Sequence, residues 1–323
     1  MYNLMFNKLK NSVKKVNFNQ IRNYEGYYVQ KNIYNPNFRL KKDISLKNRT
    51  ALISGGSRGI GLAIAENLCK NGVNVIIASK TTETQKNLPG TIYTAVEQCN
   101  KYKKGHAIPV QMDLRDEDSI LNAIDTTVKN FGSIDFLINN ASAVHIEHSK
   151  TINSKKYDLM HSINGRGTFI MSKSCIPHLA KSHNPHILSL CPPLDSTISN
   201  PFWFNMTGTA YITAKLQMSL QVLGLSQELK EFNIGCNALW PRTTIATSAI
   251  KNVLRGSKIM NKSRSPEIMA DAANIILKSN SEVNTGNFYI DDEVLVGSGF
   301  KDLEKYRINK EIKEHELAPD FFV

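Results

Sequence analysis

Two side chains one helical turn apart hold the sharpest chemistry in the chain. In Tyr211-Ile-Thr-Ala-Lys215 a spacing of four residues places a phenol and an ammonium on the same helix face. A phenol with an ordinary pKa of roughly 10 is a poor acid or base near neutrality. A lysine cation beside it stabilises the phenolate and draws the group toward working pH. Such a pair is common by chance, so its weight depends on what surrounds it.

Upstream, Thr50-Ala-Leu-Ile-Ser-Gly-Gly-Ser-Arg-Gly-Ile-Gly-Leu-Ala-Ile-Ala65 turns an apolar run through glycines into an amphipathic one. Ala51, Leu52 and Ile53 suit a buried strand, and Leu62, Ile64, Ala65 and Leu68 supply a helical stripe. Gly55, Gly59 and Gly61 fall between them, where a Cβ would keep backbone from approaching a pyrophosphate. The free N–H groups of the following helix would face the anion. This is a dinucleotide-binding loop in the required strand-to-helix context. An oxidised nicotinamide near Tyr211 would add to the stabilisation of its phenolate.

Cofactor choice is read at the end of the second strand, where NAD-preferring sites place an Asp or Glu against the ribose 2′-hydroxyl. Ala78-Ser79-Lys80 has no carboxylate there, and Arg58 and Lys80 can reach a 2′-phosphate, so NADP(H) is expected. Asp113-Leu114 ends the third strand and Asn139-Asn140-Ala141-Ser142 the fourth, at the sheet edge where ligands bind. His145 and His148 have helical ligand spacing but no third partner, and no metal is expected. Trp203, between Phe202 and Phe204, suits either the wall of an apolar substrate pocket or ordinary packing.

These groups need a scaffold, and the apolar pattern supplies one. Short runs at Thr50, Val73–Ala78, Ala107–Met112, Phe136–Ile138, Ile187–Leu190, Ile234–Leu239 and Phe288–Ile290 alternate with helical stretches. The helices are expected after the glycine loop and at Gly90–Lys103, Asp116–Asn130, Lys155–Leu179, Thr209–Leu229 and Pro266–Lys278. Gly72 and Gly132 sit where helices should stop. The reading is an α/β fold: one doubly wound, mostly parallel seven-stranded sheet with helices on both faces, from about Asp43 to about Gly299. Residues 300–323 form a charged tail whose final aromatics should pack back on the domain.

Composition narrows the class. The net charge is +12, of which residues 1–42, with nine Lys/Arg and one Glu, contribute 9 − 1 = +8. A basic surface confined to one arm argues against a nucleic-acid binder. In that arm Tyr2, Met5, Phe6, Leu9, Val13 and Val16 lie opposite Lys8, Lys10, Lys14 and Lys15 on a helical projection. A mitochondrial presequence and a disordered basic extension both fit, leaving a mitochondrial, cytoplasmic or peroxisomal location open. No apolar run approaches the roughly 18 residues of a transmembrane helix. The five cysteines, Cys69, Cys99, Cys175, Cys191 and Cys236, are scattered, so no disulfide framework is expected.

Taken together and in order, Ser54-Gly-Gly-Ser-Arg-Gly-Ile-Gly61, Asn139-Asn-Ala-Ser142, Asn164 and Tyr211-x-x-x-Lys215 resemble the short-chain dehydrogenase/reductase family. Further segments, among them Gly90–Ala95, Asn237–Pro241 and Pro319–Phe322, resemble one subgroup from about residue 48 to the end. The additional C-terminal domain common in that subgroup is not expected within these 323 residues. The resemblance implies hydride transfer in which Tyr211 exchanges the substrate hydroxyl proton and Lys215 holds the nicotinamide ribose. It gives Asn164 a water of the proton relay. Gly55, Gly56, Ser57, Arg58, Gly59, Ile60 and Gly61 would cradle the pyrophosphate, Lys80 the 2′-phosphate, Asp113 and Leu114 the adenine, and Asn140 the nicotinamide-side ribose. A homo-oligomer joined through the helices of Asn164 and Tyr211 is implied as well.

Two positions depart from the family pattern. Cys191-Pro192-Pro193 stands where a serine should hydrogen-bond the substrate oxygen, and a thiol is a weak donor. Ser189, Ser196 or Thr197 are the candidates to compensate. Arg242 replaces the usual glycine after Pro241, leaving Thr243, Thr244 and Thr247 as possible contacts to the nicotinamide amide. The expected activity is NADP(H)-dependent interconversion of a hydroxyl and a carbonyl on a small, lipid-like substrate. The missing serine keeps open a catalytically weak dinucleotide-binding sensor or scaffold.

Overall fold

The computed structural model describes residues 43–85, 88–194, 201–253 and 257–323. The expectations for the basic arm, and for Ser196 and Thr197, lie outside them. Seven strands, β1 Thr50–Ser54, β2 Asn74–Ser79, β3 Ala107–Gln111, β4 Phe136–Asn139, β5 His186–Ser189, β6 Gly235–Trp240 and β7 Phe288–Ile290, form one parallel sheet. Their order is β3-β2-β1-β4-β5-β6-β7. The winding reverses between β1 and β4, which opens a crevice at their carboxyl ends.

Strand residues feed two cores in alternation, as a pleat of period two requires. Ile53 and Ile77 point to a layer with Leu68 and Ile276, from helices α1 Gly59–Lys70 and α10 Glu267–Leu277. Leu52, Ile76 and Leu137 point to the opposite layer with Ile124, Leu179 and Leu225. Those come from α3 Glu117–Phe131, α5 Thr168–Leu179 and α7 Thr209–Glu228. On the first face, α2 Ile92–Asn100 begins at a reciprocal cap in which Thr91 and Thr94 exchange backbone and side-chain bonds. Asp116 caps α3, and Gly132 ends it at φ +79°, a conformation cheap only for glycine.

The helix expected over 155–179 is broken. α4 Ser154–Met160 runs into a π-helical turn, His161–Gly167, before α5 resumes. Four short helices were not anticipated: α6 Pro201–Thr207, α8 Ser248–Val253, α9 Ser257–Asn261 and α11 Asp291–Gly297. They are too short for a helical period to show in sequence.

Residues 300–323 contribute no strand, yet they are sewn to the loop after β6. Ser265 N–H donates to Tyr306 O (2.6 Å), Ile308 N–H to Ser263 O (3.1 Å), and Ala318 N–H to Lys262 O (2.9 Å). Phe322 is 1% exposed.

Candidate active site

The loop after β1 is built by its contacts with the loop after β4. Ser54 Oγ accepts from Asn140 N–H (3.1 Å) and Ala141 N–H (3.2 Å). The Asn140 amide donates to Ser54 O (3.1 Å) and Gly55 O (2.9 Å). Gly55 sits at φ +68°, and a Cβ there would lie 2.8 Å from Ala141 Cα. A Cβ at Gly61 would lie 2.4 Å from the Asn140 amide nitrogen, so the two loops fit only without side chains at these places. No side chain caps the start of α1 and no acid sits in its first turn, which leaves its N–H groups for an anion.

A cleft of about 730 Å³ opens above this loop. Gly55, Ser57, Arg58, Gly59 and Ile60 line it, as do Lys80, Asp113, Leu114 and Asn140. Gly56 and Gly61 do not: the first packs against Ile77 and Ile53, the second against Asn140. They shape the cradle from behind.

One end of the cleft is cationic. Arg58 donates to Gly90 O (2.8 Å), and Lys80 lies 3.2 Å from the Asp113 carboxylate. Arg115 donates to the same carboxylate through Nε (2.9 Å). Arg115, first of the groups acting on it, and Lys80 hold Asp113 well below the usual carboxylate range. Three cations against one acid leave positive charge facing the cleft. Arg115 and Ser79, whose hydroxyl lies 3.2 Å from that of Ser57, have no role in the sequence reading. A second cation two residues beyond Asp113 was the available signal.

The other end holds Tyr211 and Lys215. Both are buried on α7 and both line the cleft. Lys215 Nζ donates to Leu190 O (2.7 Å) and lies 5.1 Å from the Trp240 ring centre. Burial lowers Lys215 to about 8, against smaller opposing effects of Cys191 and Asp320. Tyr211 differs from expectation: burial raises it, and the Asp320 charge adds in the same direction. Burial and the Asp320 charge both favour the neutral phenol of Tyr211.

Asn164 sits in the π-helical turn, fully buried. Its Oδ1 accepts from Ala143 N–H (2.8 Å) and its amide donates to Ala143 O (3.0 Å). It does not line the cleft; it fixes the loop that does.

Cys191 is buried in a cluster with Met218, Val222, Ala238 and Phe288 rather than lining the cleft. Burial pushes its thiol up to about 11. Ser189 is engaged too, its hydroxyl lying 3.4 Å from the Asn139 amide. Thr244 bonds Ser263 (2.8 Å), Thr243 is buried with an unpartnered hydroxyl, and only Thr247 of the three threonines lines the cleft. Arg242 turns away, its guanidinium on Asp292 (3.2 Å) and Glu293. His145 and His148 lie on the loop after β4, not on a helix.

Trp203 stands behind the wall, its ring 6.4 Å from that of Phe321, which does line the cleft. Asp320 lines it as well, beside Phe321. Neither tail residue had been given a role from sequence, since nothing local in Pro319-Asp320-Phe321-Phe322 says where the tail lands.

Residues 49–256 match the family described as short chain dehydrogenase. The chain belongs to that family. Its members are oxidoreductases that act on CH–OH groups with a nicotinamide dinucleotide. Among curated proteins the chain is 47% identical over 274 residues to hydroxysteroid dehydrogenase-like protein 2 of Danio rerio, and 43% to that of Homo sapiens. Each alignment covers 85% of this chain and 63% of the relative, so the chain spans under two thirds of those proteins. A solved protein of Xanthomonas campestris superposes with TM-score 0.81 at 42% identity, covering 87% of this chain and 99% of that one. A short chain dehydrogenase of Mycobacterium thermoresistibile gives 0.79 at 43%, covering 86% and 96%.

Among the described residues no helix is long and apolar enough to cross a membrane.

Proposed function

We propose that the chain is an NADP(H)-dependent oxidoreductase interconverting a hydroxyl and a carbonyl on a small apolar substrate. The observation that carries this is the Tyr211 phenol, lining the cleft that also runs over the glycine loop, with Lys215 one turn behind it. The glycine loop fits a dinucleotide, since Gly55, Ser57, Gly59 and Ile60 line the cleft at the uncapped start of α1. When bound, the coenzyme supplies the hydride or accepts it. In reduction Tyr211 gives its phenolic proton to the carbonyl oxygen, and the Lys215 ammonium stabilises the phenolate left behind. Oxidation runs the same proton back. Asn164 acts as a positioning residue for the loop after β4.

Preference for NADP(H) over NAD(H) rests on Arg58, Lys80 and Arg115 at the end of the cleft near β2. Distant fold relatives go both ways: one from Burkholderia cenocepacia was solved with NADP, and a carveol dehydrogenase of Mycobacterium avium with NAD. The charge of this cleft therefore supports the choice better than likeness does. Val144, Leu159, Ile163 and Phe321 make the substrate half apolar, which suits a lipid-like substrate. Exposed Phe169, Leu220 and Leu223 on α5 and α7 suit a homo-oligomer. Mitochondrial import, proposed from the basic arm, is tested by fusing residues 1–42 to a fluorescent reporter; diffuse cytosolic signal rejects it.

The enzymatic reading is tested by following NADPH oxidation over a panel of aldehydes, ketones and acyl thioesters. Tyr211→Phe should lower turnover by about 10²-fold or more while NADPH still binds. Unchanged turnover in that variant would defeat it. The serine replaced by Cys191 favours a second reading, a dinucleotide-binding sensor with little turnover, which predicts NADPH binding without reduction of any probe.

A further inference from the structure

The carboxyl of Asp320 lies in the substrate half of the cleft with one of its two oxygens unpaired among the described residues. The backbone on both sides of it is pinned. Thr244 N–H donates to Ala318 O (2.9 Å), Asp320 N–H to Arg242 O (3.0 Å), and the Trp240 indole N–H to Phe321 O (2.7 Å). Phe322 wedges this stretch down, its ring 5.9 Å from Trp240 and 6.1 Å from Trp203. Asp320 is held at the cleft rather than draped over it.

The residue is only 8% exposed, yet it lines the cleft with Tyr211, Lys215 and Phe321. Its Oδ1 accepts from Phe321 N–H (2.7 Å). Among the described residues its other oxygen has no hydrogen-bond donor, and no cation is within ion-pair distance. Lys215 is close enough to act on its charge but gives its own short bond to Leu190 O. Burial raises this carboxyl to about 7; above that pH, where the test is run, it is a carboxylate, an acceptor only with room for several donors. Open to the cleft, that oxygen loses solvent when an apolar substrate fills the space, so a substrate donor must replace the lost bond. Val144, Leu159, Ile163 and Phe321, which line the same cleft, carry no side-chain donor.

We infer that Asp320 is a substrate-binding residue whose free oxygen accepts a hydrogen bond from a hydroxyl or N–H that an apolar substrate carries close to the carbon reacting at Tyr211. The inference rests on the carbonyl chemistry proposed above and narrows its substrate class. Neutral donor-bearing compounds such as ketols fit, plain ketones fit less well, and free carboxylic acids are repelled. The nicotinamide carboxamide offers the same donor chemistry, so the test must separate the two.

The probes are a medium-chain methyl ketone and the ketol that carries a hydroxyl on its methyl carbon. Both are titrated calorimetrically into the full chain loaded with NADP⁺, where neither can be reduced, and the coenzyme absorbance is followed to show that the ketol hydroxyl is not oxidised. The wild type should bind the ketol about tenfold or more tighter. In Asp320→Asn the Phe321 N–H keeps the amide oxygen, so the amide nitrogen faces the cleft as a donor. The preference should fall below about threefold, with NADP⁺ affinity within about twofold of wild type and an unchanged melting temperature. Asp320→Ala should lose the preference in the same way.

The inference is overturned if the wild type does not bind the ketol, or binds both probes equally. It is overturned equally if the preference survives in Asp320→Asn, or if that variant loses NADP⁺ affinity as much as ketol affinity. Failure of the enzymatic reading looks different: NADPH reduces neither probe although the ketol preference stands.

Discussion

Gly61→Ala tests the geometry on which the coenzyme cradle depends. The added Cβ would lie 2.4 Å from the Asn140 amide nitrogen and 2.6 Å from Gly55 O, whereas ordinary contact begins at 3.4 Å. The amide must therefore retreat by 3.4 − 2.4 = 1.0 Å. Its bond to Gly55 O is 2.9 Å and would stretch toward 3.9 Å if the retreat is along it, which ends it as a hydrogen bond. Losing the two bonds of the Asn140 side-chain amide, to Ser54 O and Gly55 O, costs about 2 kcal/mol, and the residual crowding about 1–2 more. Alanine regains about 1 kcal/mol of helix propensity, leaving a net loss of about 2–3 kcal/mol. At about 2–4 °C per kcal/mol, melting should drop by about 4–12 °C. NADPH affinity, measured by calorimetry, should fall by more than about tenfold because the loop that meets the pyrophosphate has moved. Gly224→Ala is the control: it is also helical, but its nearest neighbour would be Glu228 Oε1 at 4.0 Å, so it should be neutral or stabilising by up to about 1 kcal/mol. If Gly61→Ala melts with the wild type and binds NADPH equally well, the cradle is not built as described.

Because Cys191 packs in an apolar cluster off the cleft, Cys191→Ser should change turnover by less than about threefold and cost about 1 kcal/mol for the buried hydroxyl; a gain of about 10²-fold would mean that this position does face the reacting oxygen. Arg58→Ala should weaken NADPH by about tenfold or more and NADH by less than about twofold, and equal losses would remove the 2′-phosphate assignment. His186 is buried and lowered from 6.5 to about 4, so the unfolded chain binds more protons in that window and stability falls as the pH drops from 6.5 toward 4. The gap corresponds to about 3 kcal/mol at most. Asp291 and Asp320, both pushed up to about 7 chiefly by burial, act in the opposite sense, so the measurement is denaturation of wild type against His186→Gln at several pH values. Identical pH slopes for the two proteins would contradict it.

The fold was legible because its signals are local. A strand buried on both faces must be a short apolar run, as Leu52 and Ile53 show by feeding opposite cores from adjacent positions. A glycine loop between such a strand and a helix has few other uses, and a spacing of four on α7 puts Tyr211 and Lys215 on one face whatever else packs nearby. Even Gly132 announced the end of α3. The break at His161–Gly167 was not legible, since a π-helical turn has no periodic pattern of its own.

What the sequence determined alone was the sheet, the phosphate loop and the Tyr-Lys pair, each encoded within about a dozen neighbouring residues. What only tertiary structure decided was direction and company. It turned Cys191 into the core and Arg242 toward Asp292, brought Lys80 to the Asp113–Arg115 pair, and folded Asp320 and Phe321 against residues more than a hundred positions earlier. It also buried Tyr211 and brought the Asp320 charge to bear on it, both raising the phenol, and no local spacing states how much that is.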